Sequence, residues 1–408
     1  MSNSIPKEPL LFLCHRIPFP PNKGDKIRSF NILKKLNEHF DVHLGYFIDD
    51  PFDLQYTDKL TQYCVSQFFL EQKKLIAKLK GLTALLTAKP ITLPYYYDGK
   101  MQKWVDSIME QHDIQRIFVF SSSMAQYCQT TKFNQALKVI DFVDVDSDKW
   151  RQYAQKSSGI NKWIYQREYK YLAHYEDIIC QLFDYSLFVS PQEAALFAGR
   201  QDITQQGKIS GLLNGVDLDF FDSSKKFEIE PIPEDESFIS FTGAMDYWAN
   251  VEAVEWFVSN IWPLISSAHP NLKFYVVGGN PSKSILALNK QNGVVVTGRV
   301  NDVRPYIEQA KCVVAPMQIA RGIQNKVLEA MALSKAVVMT SLAAEGISLP
   351  EAQKKHVSND AAIFAEHVNE LLNDLDLCIK IGDENRRWMD ANFRWDDVLV
   401  PLPILLQG

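Results

Sequence analysis

Five short, almost wholly apolar runs follow one another in the second half of the chain, each separated from the next by a longer stretch. They span residues 238–241, 274–277, 294–297, 312–315 and 336–339. Strands take the form of continuous apolar runs when both faces of their sheet are covered by helices. Strands that alternate with helices form parallel sheets. The second half is therefore predicted to be a doubly wound α/β domain.

A similar set of strand-length runs lies in the first half. The run at 10–14 is followed by a Pro- and Gly-rich segment at 15–24, and then by 25–40, whose apolar residues recur with helical spacing. Further strands are predicted at 42–48, 116–120, 138–143 and 187–190. The fold class is therefore predicted to be α/β, with two doubly wound domains.

A turn-forming Asn-Gly-Val-Asp at 214–217 and an acidic, Pro-containing stretch at 227–236 separate the two halves. With 408 residues, the chain is long enough for two or three domains. We expect a first domain over 1–212, a second over 213–385, and a terminal helix over 386–408 that crosses back to the first domain. Ligands of such sheets bind beyond the carboxyl ends of the strands, so the two domains are expected to face a cleft.

The charge balance excludes one class of partner. Forty-three Lys and Arg stand against 49 Asp and Glu, a formal net charge of −6 at pH 7. Such a chain repels polyanions, so nucleic acid is not an expected partner and any anion site must be built locally. The six cysteines form no C-x-x-C pair, which favours reduced thiols over a zinc site. No signal segment or membrane span is recognisable, and a cytoplasmic location is expected.

The most informative segment runs from 315 to 338. It leads from a strand end, through a loop containing Gly322, into a helix that carries Lys326 and Glu329 on one face. The first turn of a helix presents backbone N–H groups to an anion. An ammonium can offset a phosphate charge and a carboxylate can accept hydrogen bonds from a sugar diol. The alternative is a surface ion pair beside a buried Met-Ala face.

The Glu-Ala-Met-Ala of that helix, together with Asn-Gly-Val-Asp near the domain junction, resembles the GT-B glycosyltransferases, in particular the retaining family 4. Motifs at 15–28, 144–150 and 322–329 are similar to a bacterial subfamily of sugar transferases associated with exopolysaccharide and exosortase (PEP-CTERM) gene clusters. The resemblance covers essentially the whole chain. It implies two Rossmann-like domains, a nucleotide-diphosphate sugar as co-substrate, no cofactor, and no requirement for a metal.

The resemblance assigns roles residue by residue. Family 4 enzymes carry two Glu separated by seven residues, of which the second holds the nucleotide ribose and the first the donor sugar. Glu329 matches the second, whereas Arg321 stands where the first would be. The family's basic pair after the first strand of the second domain is missing, since 242–250 contains no Lys or Arg. Its charge is expected to come from Arg321, Lys326 and Arg299.

Other donor contacts are expected at neighbouring strand ends. Thr-Gly-Arg at 297–299 resembles the family loop that lines the nucleobase pocket, although an exposed charge on a turn is an alternative for Arg299. The residues predicted to bind the donor are Gly24, Gly243, Arg299, Gly322, Asn325, Lys326 and Glu329.

The segment 18–28 resembles the family's Gly-containing first loop, which approaches the donor phosphates and the acceptor. Gly24 permits close backbone approach, and Lys26 and Arg28 open the next helix. Cations at a helix N-terminus oppose the macrodipole and so indicate a compensating anion, which favours a bound phosphate on this acceptor side. A solvated basic helix start is the alternative.

Four aspartates crowd the end of the predicted strand 138–143, at positions Asp141, Asp144, Asp146 and Asp148. Asp144 is the nearest match to the place where related enzymes put a His or Asp near the reacting sugar. A carboxylate there can orient or deprotonate the acceptor hydroxyl, and Asp146 is expected beside the acceptor. Helix capping and a divalent ion are the alternatives.

Residues 71–89 are rich in Lys, with leucines at helical spacing. A basic amphipathic helix of this kind can lie on an anionic membrane surface, which would place the protein at the inner face of the membrane. The alternative is an ordinary surface helix.

The resemblance implies a retaining hexosyltransferase that moves a sugar from a nucleotide-diphosphate donor to a hydroxyl of a saccharide or lipid-linked saccharide during exopolysaccharide assembly. Asp144, Arg321 and Lys326 are the expected catalytic residues, the two cations stabilising the leaving diphosphate. Two alternatives remain: a nucleotide-sugar epimerase or hydrolase on the same fold, and a non-catalytic nucleotide-binding partner.

Overall fold

The chain forms two compact units, each with one parallel sheet. The first unit comprises Met1–Leu213 and Val398–Gly408, and the second comprises Asn214–Asp397. Each sheet is wrapped by helices, so the predicted α/β class with two doubly wound domains is confirmed. The computed structural model describes residues 7–225, 227, 232–233, 235–320 and 323–407.

Seven strands form the sheet of the first unit. They are β1 Glu8–Cys14, β2 Phe40–Ile48, β3 Ser66–Glu71, β4 Arg116–Phe120, β5 Leu137–Val143, β6 Tyr185–Phe188 and β7 Ile209–Gly211. All pair in parallel, in the order β3-β2-β1-β4-β5-β6-β7. The strand order reverses between β1 and β4, which is where doubly wound sheets bind their ligands.

Helices connect these strands, and short polar residues start several of them. Asp98 and Ser190 each accept a hydrogen bond from a backbone N–H of the helix that follows, which stabilises its first turn. The helices of the first unit, before its C-terminal segment, are α1 Gly24–His39, α2 Lys74–Thr83, α3 Thr92–Tyr96, α4 Gly99–Gln111, α5 Asp146–Lys156, α6 Gly159–Leu182, α7 Pro191–Ala198 and α8 Ile203–Gln206. Short 3₁₀ helices span Pro51–Tyr63, Ala84–Leu86, Ser122–Cys128 and Thr131–Phe133.

Five strands form the sheet of the second unit. They are β8 Phe238–Thr242, β9 Lys273–Val277, β10 Val294–Gly298, β11 Val313–Ala315 and β12 Val337–Met339. All are parallel, in the order β10-β9-β8-β11-β12, and they coincide closely with the apolar runs of the sequence. The switch point lies between β8 and β11, so the carboxyl end of β8 is the expected ligand position.

The remaining helices belong to the second unit, except for the C-terminal α19, which belongs to the first. They are α9 Trp248–Asn260, α10 Trp262–Ala268, α11 Lys283–Ala287, α12 Arg304–Glu308, α13 Asn325–Ala332, α14 Ser341–Ala344, α15 Glu351–Lys354, α16 Ala361–Asn373, α17 Leu375–Asn392, α18 Trp395–Val398 and α19 Pro401–Gln407, with a 3₁₀ helix over Leu288–Lys290. Helix α17 packs closely against the turn that follows α13, since a Cβ added to Gly382 would lie 2.0 Å from the carbonyl oxygen of Ser334.

Two strands of the first unit were not predicted from the sequence. Both β3 and β7 lie at an edge of the sheet. Most residues of β3 are half-buried, and β7 has only three residues. An edge strand with mixed burial has no continuous apolar run, and that run was the signal used for the other strands.

The division between the units differs from the predicted one near the C-terminus. Arg386, placed by the sequence in the returning helix, lies in α17 and donates to the carbonyl oxygens of Leu218, Phe221 and Ala332 within the second unit. Of the segment 386–408 that was predicted to return, only Val398–Gly408 belongs to the first unit. There α19 contacts α1 and β5, and the backbone oxygen of Leu406 accepts a hydrogen bond from Arg116 at 2.7 Å. The returning segment is therefore shorter than expected.

Most of the cysteines lie inside the fold. Five of the six cysteines are buried, and Cys64 is half-buried. Across the described residues, no helix combines the length and hydrophobicity needed to cross a membrane.

Candidate functional site

Two glycine loops meet at the carboxyl ends of β8 and β9. Gly243 follows β8 and donates its N–H to the oxygen of Val277 at 3.0 Å. Gly278 follows β9, and a Cβ added to it would lie 1.7 Å from the oxygen of Gly243. No side chain fits at position 278, so the two backbones approach as closely as glycine permits.

Lys326, in the first turn of α13, places its ammonium beside this glycine loop. Its Nζ donates to Oδ1 of Asn250 at 2.5 Å, and it lies 3.7 Å from the sulfur of Met317 and 4.2 Å from the ring centroid of Phe241. A Cβ added to Gly243 would lie 3.3 Å from the same Nζ. The structure therefore brings together two of the predicted residues, Gly243 and Lys326. The sequence prediction assigned no role to Asn250, Phe241 or Met317.

The half-buried surroundings of Lys326 and Glu329 change the protonation of both groups. Burial lowers the pKa of Lys326 to about 7, although the nearby charge of Glu329 acts in the opposite direction. Burial likewise raises the pKa of Glu329 to about 7, against the effect of Lys326. Both groups therefore titrate near neutral pH. This environment disfavours the alternative of an exposed surface ion pair.

Asn325 and Arg299 contact different segments of the second unit. Oδ1 of Asn325 accepts a hydrogen bond from Nδ2 of Asn214 at 3.2 Å, which ties the start of α13 to the Asn-Gly-Val-Asp segment. Arg299 is exposed after β10, and a Cβ added to Gly279 would lie 3.5 Å from its Nε. The loops after β9 and β10 therefore contact each other. Arg321 and Gly322 lie outside the described residues.

Lys26 and Arg28 do not form the expected anion site. Nζ of Lys26 lies 2.5 Å from a carboxylate oxygen of Asp53, and Nε of Arg28 lies 2.7 Å from one of Asp141. The side chains of both cations are buried, that of Arg28 completely. The cations at this helix start do have compensating anions, but these are not the bound phosphate that was predicted. The anions are carboxylates of the protein itself, so neither cation is available to a phosphate or an acceptor.

A further charge cluster at the end of β1 was missed by the sequence argument. Arg16 contacts Asp25 at 2.5 Å through Nη1 and Asp49 at 2.9 Å through Nε, and Nε2 of His15 lies 3.5 Å from Asp25. Burial alone would raise the pKa of Asp25, but the hydrogen bond from His15 and the charge of Arg16 hold that pKa well below its usual range. Asp25 follows Gly24, the exposed first residue of α1, so this cluster fixes the end of the predicted first loop.

The four aspartates of the β5 end have separate surroundings. Asp141 is buried against Arg28, whereas Asp148 pairs with Arg151 at 2.6 Å. Asp144 and Asp146 lie 3.9 Å and 3.0 Å from Nζ of Lys149. Within the described ranges no group of three or more His, Cys, Asp or Glu is arranged to hold a metal ion. The four aspartates therefore do not converge on one point: Asp144 and Asp146 share Lys149, while Asp141 and Asp148 each pair with a different arginine.

The residue before Asp144 has an unusual backbone. Val143, the last residue of β5, has φ 71°, in the left-handed region that a β-branched residue rarely adopts. At the end of the adjacent β4, Ser121 has φ 80°. Strained residues of this kind persist where the surrounding structure fixes them, often at functional sites. Asp144 and the loop after β4 are therefore a second candidate site, which lies within the first unit.

Comparison with known proteins gives a family match for part of the chain. Residues 236–374 match the family model described as "Glycosyl transferases group 1". An uncharacterised 44.6 kDa protein in the cps region of Klebsiella pneumoniae is 22% identical over 138 residues, which make up 32% of this chain and 36% of that protein. The match thus spans about a third of the relative's length.

Solved structures resemble nearly the whole chain. Sucrose-phosphate synthase from Thermosynechococcus elongatus is 15% identical with a TM-score of 0.70, covering 98% of each chain. HepE of Anabaena, in complex with UDP and glucose, is 13% identical with a TM-score of 0.67, covering 98% of this chain and 99% of that one. WaaG, a glycosyltransferase involved in lipopolysaccharide biosynthesis, is 14% identical with a TM-score of 0.63, covering 98% and 100%.

Likeness at these identities shows the fold, and the expected GT-B fold is confirmed. The site around Lys326 lies inside the segment that matches the group 1 model. The fold and this partial family match together support a glycosyltransferase of the GT-B type.

The ion pair of Arg28 with Asp141 makes a testable contribution to stability. Arg28→Met leaves a buried carboxylate without its partner, and we expect the free energy of unfolding to fall by about 3–5 kcal/mol. Lys35→Met on the same helix is the matched control, because Lys35 pairs with Glu38 near the surface and its loss should cost at most about 1 kcal/mol. Chemical denaturation of the three proteins measures the difference. Equal decreases in the free energy of unfolding of the two variants would show that the buried ion pair contributes no more to stability than the pair near the surface.

Proposed function

We propose that the chain transfers a sugar from a nucleotide-diphosphate donor to a hydroxyl of a saccharide or lipid-linked saccharide. The observation that carries this proposal is the position of Lys326. Its ammonium lies beside Gly243 at the carboxyl end of β8, with a neutral amide and an aromatic ring as neighbours. A cation held in such surroundings is stabilised by an anionic ligand, which raises its pKa.

A diphosphate meets this requirement. Lys326 is in the first turn of α13, so backbone N–H groups at the helix start add to its charge. Glu329 lies one turn further on and can accept hydrogen bonds from a ribose or sugar diol. Arg299 and Arg321 are proposed as additional donor contacts on the basis of the family resemblance. HepE, whose solved structure holds UDP and glucose, supports a uridine nucleotide as the first donor to test.

Catalysis in this proposal rests on stabilising the leaving diphosphate. Lys326 and the α13 N–H groups offset the negative charge that develops as the bond to the sugar breaks. Because this charge develops at a partly desolvated site, each favourable electrostatic contact stabilises it more than the same contact would in bulk water. We propose transfer of a hexose with retention of stereochemistry, as in family 4.

For the acceptor side, Asp144 is the proposed orienting or proton-accepting group. It directly follows the strained Val143 at the end of β5, and the strain supports a functional reason for its position. Asp146 is proposed beside it, while Lys26 and Arg28 are not, since both are used in buried ion pairs. Assembly of an exopolysaccharide is the proposed setting, supported by the relative in a cps region.

Ligand-induced thermal stabilisation tests the donor site. A ligand that binds the native state raises the melting temperature by mass action. We expect UDP or UDP-glucose to raise the melting temperature, and Lys326→Met and Glu329→Gln each to weaken binding at least tenfold, about 1.4 kcal/mol. Lys335→Met is a matched control, because Lys335 is also a partly buried lysine of the second unit with a lowered pKa, but its Nζ donates to the oxygen of Glu308.

Two results of that experiment would contradict the proposal. One is an unchanged shift in both Lys326→Met and Glu329→Gln, which would place the donor elsewhere. The other is an equal loss of ligand binding in Lys335→Met, which would show that the substitutions act by destabilising the second unit in general. Product analysis with donor alone then separates a transferase from an epimerase or hydrolase, because only the latter two act without an acceptor.

The pKa values of Lys326 and Glu329 predict that binding of the donor takes up protons at pH 8 and releases protons at pH 6. At pH 8 Lys326, with a pKa of about 7, is mostly neutral, and a bound diphosphate makes it take up a proton. At pH 6 Glu329, also with a pKa of about 7, is mostly protonated, and a donating diol makes it release one.

Calorimetry of UDP-glucose binding in two buffers of different ionisation enthalpy measures this exchange. UDP-glucose is suitable because its diphosphate is a diester without a group that titrates between pH 6 and 8. We expect uptake at pH 8 that disappears in Lys326→Met, and release at pH 6 that disappears in Glu329→Gln. Binding without proton exchange at both pH values would show that the diphosphate and the diol lie away from this pair.

A further inference from the structure

Helix α2 packs onto the first unit in the reverse of the usual orientation. Its buried residues are Ala77 and Gly81, four positions apart on one face. Gly81 approaches α3 so closely that an added Cβ would lie 2.9 Å from Cγ2 of Ile91. The large apolar side chains of α2 face outwards instead: Leu75 is 79% exposed, Leu79 66%, Leu82 53% and Ile76 49%. An ordinary surface helix buries its large apolar residues. Helix α2 therefore does not match the alternative of an ordinary surface helix.

The start of α6 extends the same apolar surface. Ile160 is 74% exposed and Trp163 is 55% exposed. This part of α6 is fixed to the segment after α2, because Arg167 donates to the carbonyl oxygens of Thr87 and Lys89. Trp163 and Leu85 line the same concavity between the two segments.

A second concavity continues the apolar surface inwards. It has a volume of about 460 Å³ and includes Lys78 and Leu82 of α2. The other lining residues are Ile91, Thr92, Tyr95, Tyr96 and Trp150. Exposed leucines beside an aromatic-lined pocket form an apolar area well beyond the scattered single residues of a normal protein surface.

The charge of these segments is opposite to that of the chain. Residues 72–97 contain five Lys and no Asp or Glu. At the start of α6 and just before it, Lys156 and Lys162 are exposed, whereas Lys149 and Arg151 pair with Asp146 and Asp148. The whole chain, in contrast, has a formal net charge of −6. Lys73, Lys74 and Lys78 are exposed beside the outward leucines, and Lys162 is exposed beside Trp163.

We propose that this surface, made by α2 and the start of α6, docks on an anionic lipid bilayer. The leucines and Ile160 enter the boundary between head groups and acyl chains, and Trp163 lies at head-group depth, where its amphipathic ring is favoured. The lysines contact the phosphate groups of anionic lipids. A bilayer fits both features, since it presents negative charge and hydrocarbon within a few ångströms of each other. This proposal is independent of nucleotide binding and goes beyond the proposed sugar transfer.

Vesicle flotation tests the proposal with the full chain. We expect the protein to float with vesicles of phosphatidylcholine containing 30% phosphatidylglycerol, and to remain unbound with phosphatidylcholine alone. Binding should fall at least tenfold in 0.5 M NaCl, because salt screens the lysine contacts.

Two pairs of variants locate the surface. Lys73→Glu/Lys74→Glu/Lys78→Glu should reduce binding at least tenfold, while Lys283→Glu/Lys290→Glu/Lys355→Glu makes the same change of charge on exposed lysines of the second unit and should not. Leu79→Ser should also weaken binding, whereas Ile203→Ser, at a residue 84% exposed on α8, should not.

The outcomes are decisive because all changed side chains are exposed and circular dichroism verifies folding of each variant. Absence of flotation with phosphatidylglycerol, equal binding to phosphatidylcholine, or equal effects of the test and control variants would each overturn the proposal. A nucleotide-induced thermal shift measured on the same samples is expected to be unchanged in all four variants, which keeps failure of this proposal distinct from failure of the donor site.

Discussion

The candidate site depends on one interaction, the placement of the Lys326 ammonium at the carboxyl end of β8. Gly243, which has no side chain, leaves room there for the Asn250 amide and the ammonium, since an added Cβ would lie 2.7 Å from Asn250 Nδ2 and 3.3 Å from Lys326 Nζ. The oxygen of Asn250 and the face of Phe241 orient it without neutralising it. Burial then lowers its pKa, and it does so because no carboxylate compensates fully for the lost water. The charge is thus balanced best by an anion from outside the protein.

The cations at the ligand edge of the first unit are held differently. Arg16, Lys26 and Arg28 each lie within 3 Å of an aspartate oxygen of the same unit. Such pairs satisfy both charges internally and fix the first loop and α1 onto the sheet. The contrast gives a physical criterion for choosing between two basic helix starts. The helix start whose cations contact carboxylates directly is structural. The helix start whose cation contacts an amide and a ring, and is only partly compensated by Glu329, is the better candidate for a ligand.

The sequence predicted the features that depend on neighbouring residues or on regular spacing. The strands of the second unit were visible as apolar runs because both faces of that sheet are covered. Gly243 and Lys326 were both chosen, although nothing in their spacing showed that they touch. The partner of Arg28 could not be found, since Asp141 is 113 residues away and only the fold brings them together. The outward leucines of α2 were also beyond prediction, because helical spacing gives the apolar face but not its direction.

The most direct test of the account is a crystal structure of the protein with UDP-glucose bound. It should show oxygens of the diphosphate within hydrogen-bonding distance of Lys326 Nζ and of the first-turn N–H groups of α13, with a ribose or sugar diol on Glu329. A diphosphate bound elsewhere, with the Lys326 ammonium still directed only at Asn250 and Phe241, would contradict the assignment.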